Sequence, residues 1–116
     1  MKAIAEFENL YIHRAPVDMR KNINGLAAIV EAEMKLSLRT SSLFVFCNGR
    51  RTLVKMLYFD RSGFALWLKK LDDSKFPWPS HVDEETIAAS HSELQFLLEG
   101  VSVWTRFKEV HFEQVL

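Results

Sequence analysis

The residues of this chain best suited to chemistry are cations interleaved with an aromatic ring. Between Ser42 and Lys70 lie Arg50, Arg51, Lys55, Arg61, Lys69 and Lys70, opposed in that stretch by Asp60 alone. Lys55 alternates with Val54 and Met56, and Lys69 stands two residues after Trp67, so both lysines fit strand spacing. If their faces align, the sheet presents ammonium groups around an indole, with Arg50, Arg51 and Arg61 at the two turns. Such a surface holds phosphates by charge and stacks a base or a sugar on the ring. The competing reading is a half-exposed sheet whose lysines snorkel and whose tryptophan is covered by the first helix. Arg20 and Lys21 form a second cationic pair at the expected start of that helix, where they oppose the positive end of its dipole. An anion docked there would relieve the mismatch, and so would pairing with Glu6, Glu8 or the acidic C-terminal segment.

Other chemistries find little support. His13, His81, His91 and His111 are scattered without ligand spacing, so they read as surface or rim residues; no metal and no cofactor is expected. Cys47 ends an apolar strand and reads as a packed small hydrophobe, not as a nucleophile. Gly25, Gly49, Gly63 and Gly100 are too far apart to cradle a phosphate in one loop. Asp18, Asp60 and one of Glu84 or Glu85 are imaginable as a nuclease triad. Asp18, however, reads as a helix cap and Asp60 as a turn residue, so no catalytic residue is assigned.

The elements that must position these groups follow from periodicity. Glu8 to Arg14 reads as a short strand closed by Ala15-Pro16. After Asp18 as N-cap, Ile23, Leu26, Ala27, Ile29, Val30 and Met34 repeat at three and four spacing, predicting a helix over about Met19 to Lys35. Gly25 inside it points to a close packing contact. Leu43 to Cys47 and Arg50 to Phe59 flank Asn48-Gly49, which predicts a hairpin with a type I′ turn. Asp60 to Gly63 supplies a second tight turn, and Phe64 to Leu71 a third strand with Ala65, Trp67 and Lys69 on one face and Phe64, Leu66 and Leu68 on the other. Phe76-Pro77-Trp78-Pro79 must run extended over the sheet edge or the core. Ser90 and Glu93 have capping-box spacing ahead of Leu94, Leu97 and Leu98, predicting a short helix over about His91 to Glu99. Val101 to Leu116 fits a strand better than a helix. The expected class is α+β: an antiparallel meander over about residues 43–71, packed against one longer N-terminal helix (about 19–35) and a short C-terminal one (about 91–99).

Length and composition agree with one domain over residues 1–116. Apolar residues at 48% and charged residues at 26% exclude a disordered chain and support a packed core without disulfides. The formal charge is zero, yet residues 1–75 hold 13 basic and 8 acidic side chains while residues 76–116 hold 2 and 7, so the chain is electrically bipolar. Glu6 and Glu8 interrupt any apolar leader, the longest apolar run is far below the roughly 18 residues of a spanning helix, and a lone thiol suits a reducing compartment; a cytoplasmic protein without membrane contact is expected.

Several ordered blocks carry a resemblance. Val17-Asp18-Met19-Arg20-Lys21, Gly25-Leu26, the run from Leu43 to Arg51, Lys55 to Asp60, Ser62-Gly63-Phe64 with Leu66-Trp67 and Lys69-Lys70-Leu71, and Phe76-Pro77-Trp78-Pro79 together resemble the TnpB accessory proteins of the IS-sixty-six group of insertion sequences. These are distinct from the RNA-guided nucleases that share the name. The match runs from about Tyr11 to Gly100, and Leu94 to Gly100 fits the family's closing leucine-rich helix. The chain departs from the pattern at Asn22, where glycine is frequent, at Leu68, where tyrosine is frequent, and over Lys108 to Glu113, where the family is basic. The resemblance implies an accessory role in DNA transposition beside a separate transposase that carries the catalytic carboxylates.

Charge and resemblance combine into an expectation: a non-enzymatic factor that contacts the phosphate backbone of element DNA and acts with the transposase, with self-association into a homo-oligomer left open. The DNA-binding set would be Arg20, Lys21, Arg50, Arg51, Lys55, Arg61, Trp67, Lys69 and Lys70. The alternative is an adapter that binds the transposase through its acidic C-terminal part or an exposed sheet edge and never touches DNA.

Overall fold

The computed structural model describes residues 3–102 and 104. A 3-10 turn at Ile4–Glu6 leads into β1 (Asn9–His13), then α1 (Ile23–Ile29), which continues as a π-helical turn over Val30–Met34. β2 (Ser42–Cys47), β3 (Leu53–Asp60) and β4 (Gly63–Lys70) follow, then β5 (Thr86–Ala89) and α2 (His91–Leu98). The fold is α+β, with one mixed sheet in the order β4-β3-β2-β1-β5.

The meander β2–β3–β4 forms as the turn residues predict, with Val45 opposite Met56 and Asp60 opposite Gly63. Its first strand is buried at every position from Ser42 to Cys47, because helices and loops cover both sheet faces there. That double burial accounts for an unbroken apolar run where a one-sided strand would alternate. β1 lies parallel to β2, Leu10 opposite Leu43, and antiparallel to β5, Ile12 opposite Ile87. Neither pairing has a local signal, and β5 itself, Thr-Ile-Ala-Ala, is only four residues long and rich in alanine.

Two apolar layers result. On one face Leu10, Ile12, Val45, Val54 and Met56 pack with Leu94 and Leu97 of α2 and with Phe76 and Trp78. On the other, Phe44, Phe46 and Leu57 pack with Leu26, Ile29, Val30 and Met34 of the α1 segment. The Phe76-Pro77-Trp78-Pro79 segment therefore lies over the core, with Phe76 and Trp78 buried.

Helix boundaries depart from periodicity where a side chain competes for the backbone. α1 starts at Ile23 and not at Met19, because the carbonyls of Met19 and Lys21 accept hydrogen bonds from the Lys55 ammonium at 2.7 and 2.8 Å and so are turned away from helical partners. Asp18 is no helix cap: its carboxylate accepts from the Arg20 backbone N–H at 2.9 Å and forms a turn before the helix. Gly25 has the expected tight neighbour, since a Cβ there would lie 3.2 Å from Cβ of Lys21. Lys35, left-handed at φ 56°, ends the segment.

α2 matches its capping box: Ser90 Oγ accepts from Glu93 N–H at 3.1 Å and Ser90 N–H donates to Glu93 Oε1 at 2.8 Å. Gly100 at φ 88° closes it in a Schellman motif, with Gly100 N–H donating to Leu97 O and Val101 N–H to Phe96 O. Of the strand expected over Val101 to Leu116, Val101 and Ser102 are irregular, and the remainder apart from buried Trp104 lies outside the described residues.

Candidate nucleic-acid interface

The expected patch around an indole does not form. In the β3–β4 register Lys55 faces Leu68 and Val54 faces Lys69, so the two lysines lie on opposite faces of the sheet. Lys55 is buried beneath the α1 segment, where its Nζ donates to Met19 O, Lys21 O and, at 3.2 Å, Asn22 Oδ1. Lys69 is half-buried on the α2 face and donates to Leu98 O at 2.8 Å, satisfying a carbonyl at the end of α2. Trp67 is half-buried against the same apolar layer, so it is covered from the α2 side and not by α1. These three residues are part of the fold.

Arg20 and Lys21 lie in the turn ahead of α1, just before its N-cap Asn22, and not in its first helical turn. Arg20 is paired locally: its Nη2 stands 2.6 Å from Asp18 Oδ2, and the hydrogen bonds from Arg20 hold the Asp18 carboxyl down at about 2. Lys21 is exposed, with its stem against Gly25. Arg61, at φ 52° in the β3–β4 turn, is exposed at the far end of the sheet, about 23 Å of strand from Leu53 at ~3.3 Å per residue.

What the fold does bring together is a cationic end. The hairpin loop between β2 and β3 spans five residues, Asn48 to Thr52, and not a two-residue type I′ turn; Arg51, not Gly49, carries the positive φ, at 61°. Asn48 organises it: Oδ1 accepts from the N–H groups of Thr52 (2.9 Å) and Leu53 (3.1 Å), and Nδ2 donates to Thr52 Oγ1 (3.1 Å). Arg50 and Arg51 are exposed on this loop, and exposed Lys70 ends β4 beside it, opposite Leu53. Arg14, absent from the expected set, joins them where β1 ends. Its N–H donates to Glu85 O and its Nε to Glu84 O at 3.1 Å.

Arg14 and Arg51 line one small cavity of about 60 Å³, with Asn48, Gly49, Trp78 and Ser80. Among the described residues the ion pairs are His13 with Glu33 and Arg20 with Asp18, so Arg14, Arg50 and Arg51 face no carboxylate within bonding distance. The position of Arg14 at a strand end, just before Ala15-Pro16 and level with the next hairpin loop in a parallel pair, is the signal that would have found it.

Other candidate chemistry is not assembled. Among the described residues no three His, Cys, Asp or Glu side chains gather as a metal-binding group. Asp18 is occupied by Arg20, and Asp60 closes β3 at the end away from the Lys55 head group that reaches the turn over residues 19–22. Cys47 is buried, and burial pushes its thiol up to about 12, the behaviour of a packed hydrophobe. His13 corrects the expectation of a rim histidine. It is buried, with Nδ1 2.9 Å from Ala15 O and Nε2 3.2 Å from Glu33 Oε1, and ties β1 to the α1 segment. His111 lies outside the described residues. No helix among the described residues is long and apolar enough to cross a membrane.

The chain matches the family described as IS66 Orf2 like protein over residues 8–108, a stretch holding both apolar layers and the cationic end. It belongs to that family. The family associates the chain with transposition of insertion sequences, in an accessory capacity. Two relatives in Sinorhizobium fredii (strain NBRC 101917 / NGR234) are similar across most of their length. The uncharacterized protein y4hO is 35% identical over 92 residues, 79% of each chain. The uncharacterized protein y4jC is 34% identical over 93 residues, 80% of this chain and 78% of its own. No solved structure matches.

Proposed function

We propose that this chain acts in transposition by contacting the phosphate backbone of element DNA with the loop end of its sheet, alongside a separate transposase. The observation that carries this reading is the grouping of Arg14, Arg50, Arg51 and Lys70 at one end of the fold, the three arginines having no acidic partner among the described residues. Unpaired guanidinium groups on an exposed loop are held for an external anion at no cost of breaking an internal pair. Lys55, Lys69 and Trp67 leave the contact set because their polar atoms or rings are engaged inside the fold. Arg61 and Arg20 are secondary, the first by distance and the second by its pairing.

Four phosphate contacts predict that log affinity for duplex DNA falls with log salt at a slope of about −3.6. Fluorescence anisotropy with element-end and random duplexes from low to physiological salt measures that slope. Binding that ignores salt, or that survives replacement of Arg50 and Arg51 by alanine, refutes the contact.

A second reading has its own observation. β4 is an edge strand whose residues are all partly or fully exposed, including Leu68 at 53%. An open edge accepts a partner strand, so the chain would serve as an adapter for the transposase. Co-purification after nuclease treatment, with no shift of DNA alone, favours this reading over the first.

A further inference from the structure

We propose that the cavity between Arg14, Arg51 and Ser80 is a seat for one phosphate group. The proposal deepens the DNA-contact reading and rests on it for the source of the phosphate, a backbone phosphodiester.

Size comes first. About 60 Å³ admits a cluster of roughly four to six water-sized atoms, at ~10–15 Å³ each, which is the scale of a tetrahedral oxyanion and well below a nucleobase with its sugar. Chemistry agrees. Two arginines, Arg14 and Arg51, line the space, and a guanidinium can offer parallel N–H donors to two oxygens of one anion. The Ser80 hydroxyl makes no hydrogen bond among the described residues and is a further donor on the same wall. Trp78 supplies a low-dielectric wall, against which charge-assisted hydrogen bonds gain strength.

The lining is also held in place before any ligand arrives. Arg14 is anchored at its backbone N–H by Glu85 O, at Nε by Glu84 O, and at its carbonyl by the Trp78 indole N–H at 3.0 Å. The Nε bond leaves the two terminal nitrogens without a partner among the described residues. Glu84 and Glu85 are exposed, and both contribute backbone oxygens to Arg14, not their carboxylates. Arg51 is fixed at its N–H by Asn48 O and at its carbonyl by Phe76 N–H at 2.7 Å. It adopts a left-handed φ of 61°, a conformation in which glycine would be unstrained, as Lys35 and Arg61 also do away from this cavity.

The test uses the full chain, Arg51→Gly and Arg14→Gln. Arg51→Gly removes the guanidinium while placing the residue that suits this φ, so the fold is kept, and a melting curve checks it. Inorganic phosphate is titrated against the amide NMR signals of Gly49, Arg51 and Ser80, and element-end duplex is titrated by anisotropy across salt. The expected result is saturable phosphate shifts in wild type that vanish in both variants, with duplex affinity reduced about tenfold and a salt slope shallower by about one per variant. Phosphate shifts that vanish in the variants while wild type ignores duplex DNA keep the seat and overturn the DNA reading, pointing to a free phosphate or phosphomonoester. Duplex binding that is equal in all three proteins, without phosphate shifts in wild type, overturns the seat and keeps the DNA reading.

Discussion

Lys55 and Arg51 stand four residues apart on one hairpin and do opposite things. The ammonium of Lys55 is buried and donates to two carbonyls and an amide oxygen of the turn ahead of α1, whereas Arg51 is exposed on its loop and meets no carboxylate among the described residues. Lys69 repeats the behaviour of Lys55 on the opposite face, holding Leu98 O at the end of α2. A cation on a covered face thus becomes a clamp on backbone carbonyls beside a helix end, while a cation at the strand ends stays available. Residue type and spacing do not separate the two roles; the layer that covers the strand does.

The largest expected effect sits on the clamp side. Lys55→Met leaves three acceptors without their donor and is expected to cost about 2–4 kcal/mol in urea denaturation while leaving duplex affinity near wild type. A loss of affinity out of proportion to unfolding would erase the distinction. Lys69→Met removes a single acceptor contact and is expected to cost about 1 kcal/mol by the same measurement. Ser90→Ala deletes one half of the capping box at the other end of α2, also at about 1 kcal/mol. Arg51→Gly should move stability by no more than about 1 kcal/mol, since relief of the left-handed φ offsets the added freedom of glycine, and yet reduce duplex binding.

The smallest effect is at Asp18. Its carboxyl is held at about 2 in the folded chain against an ordinary 3.8, so the folded state binds fewer protons than the unfolded one between those values. The Asp18–Arg20 contribution is therefore present above pH 4 and is lost as pH falls toward 2; Asp18→Asn should flatten the acid limb of stability over that window and leave neutral pH almost unchanged.

Much of the architecture was legible because its signals are local. Asp60 to Gly63 and Ser90 with Glu93 act over a few residues, and both perform as their chemistry requires. The patch expected around Trp67 put Lys55 and Lys69 together, although parity argues against it: once Asp60 pairs with Gly63, Lys55 must face Leu68 and Val54 must face Lys69. The start of α1 was not legible, because Lys55 lies more than 30 residues downstream of the carbonyls it captures. Asn48-Gly49 misled for a related reason. The Asn48 side chain bonds forward to Thr52 and Leu53 and widens the loop, moving the left-handed position onto Arg51. Arg14 escaped notice since its neighbours come from β2 and from the segment around Trp78, which only the parallel pairing of β1 brings alongside.

The placement of β1 between β2 and β5 bears on how the chain emerges from the ribosome. β1 is translated first, but one flank waits for residues 42–45 and the other for residues 86–89, while the leucines of α2 that cover Leu10 arrive later still. The hairpins β2–β3–β4 are complete once residue 70 is out. A nascent product cut short before Thr86 therefore carries a finished meander and a raw flank on β1, with Phe7, Leu10 and Ile12 short of their cover. Such a fragment exposes apolar side chains and an unpaired strand flank together, the two features that invite aggregation and proteolysis until β5 and α2 are in place.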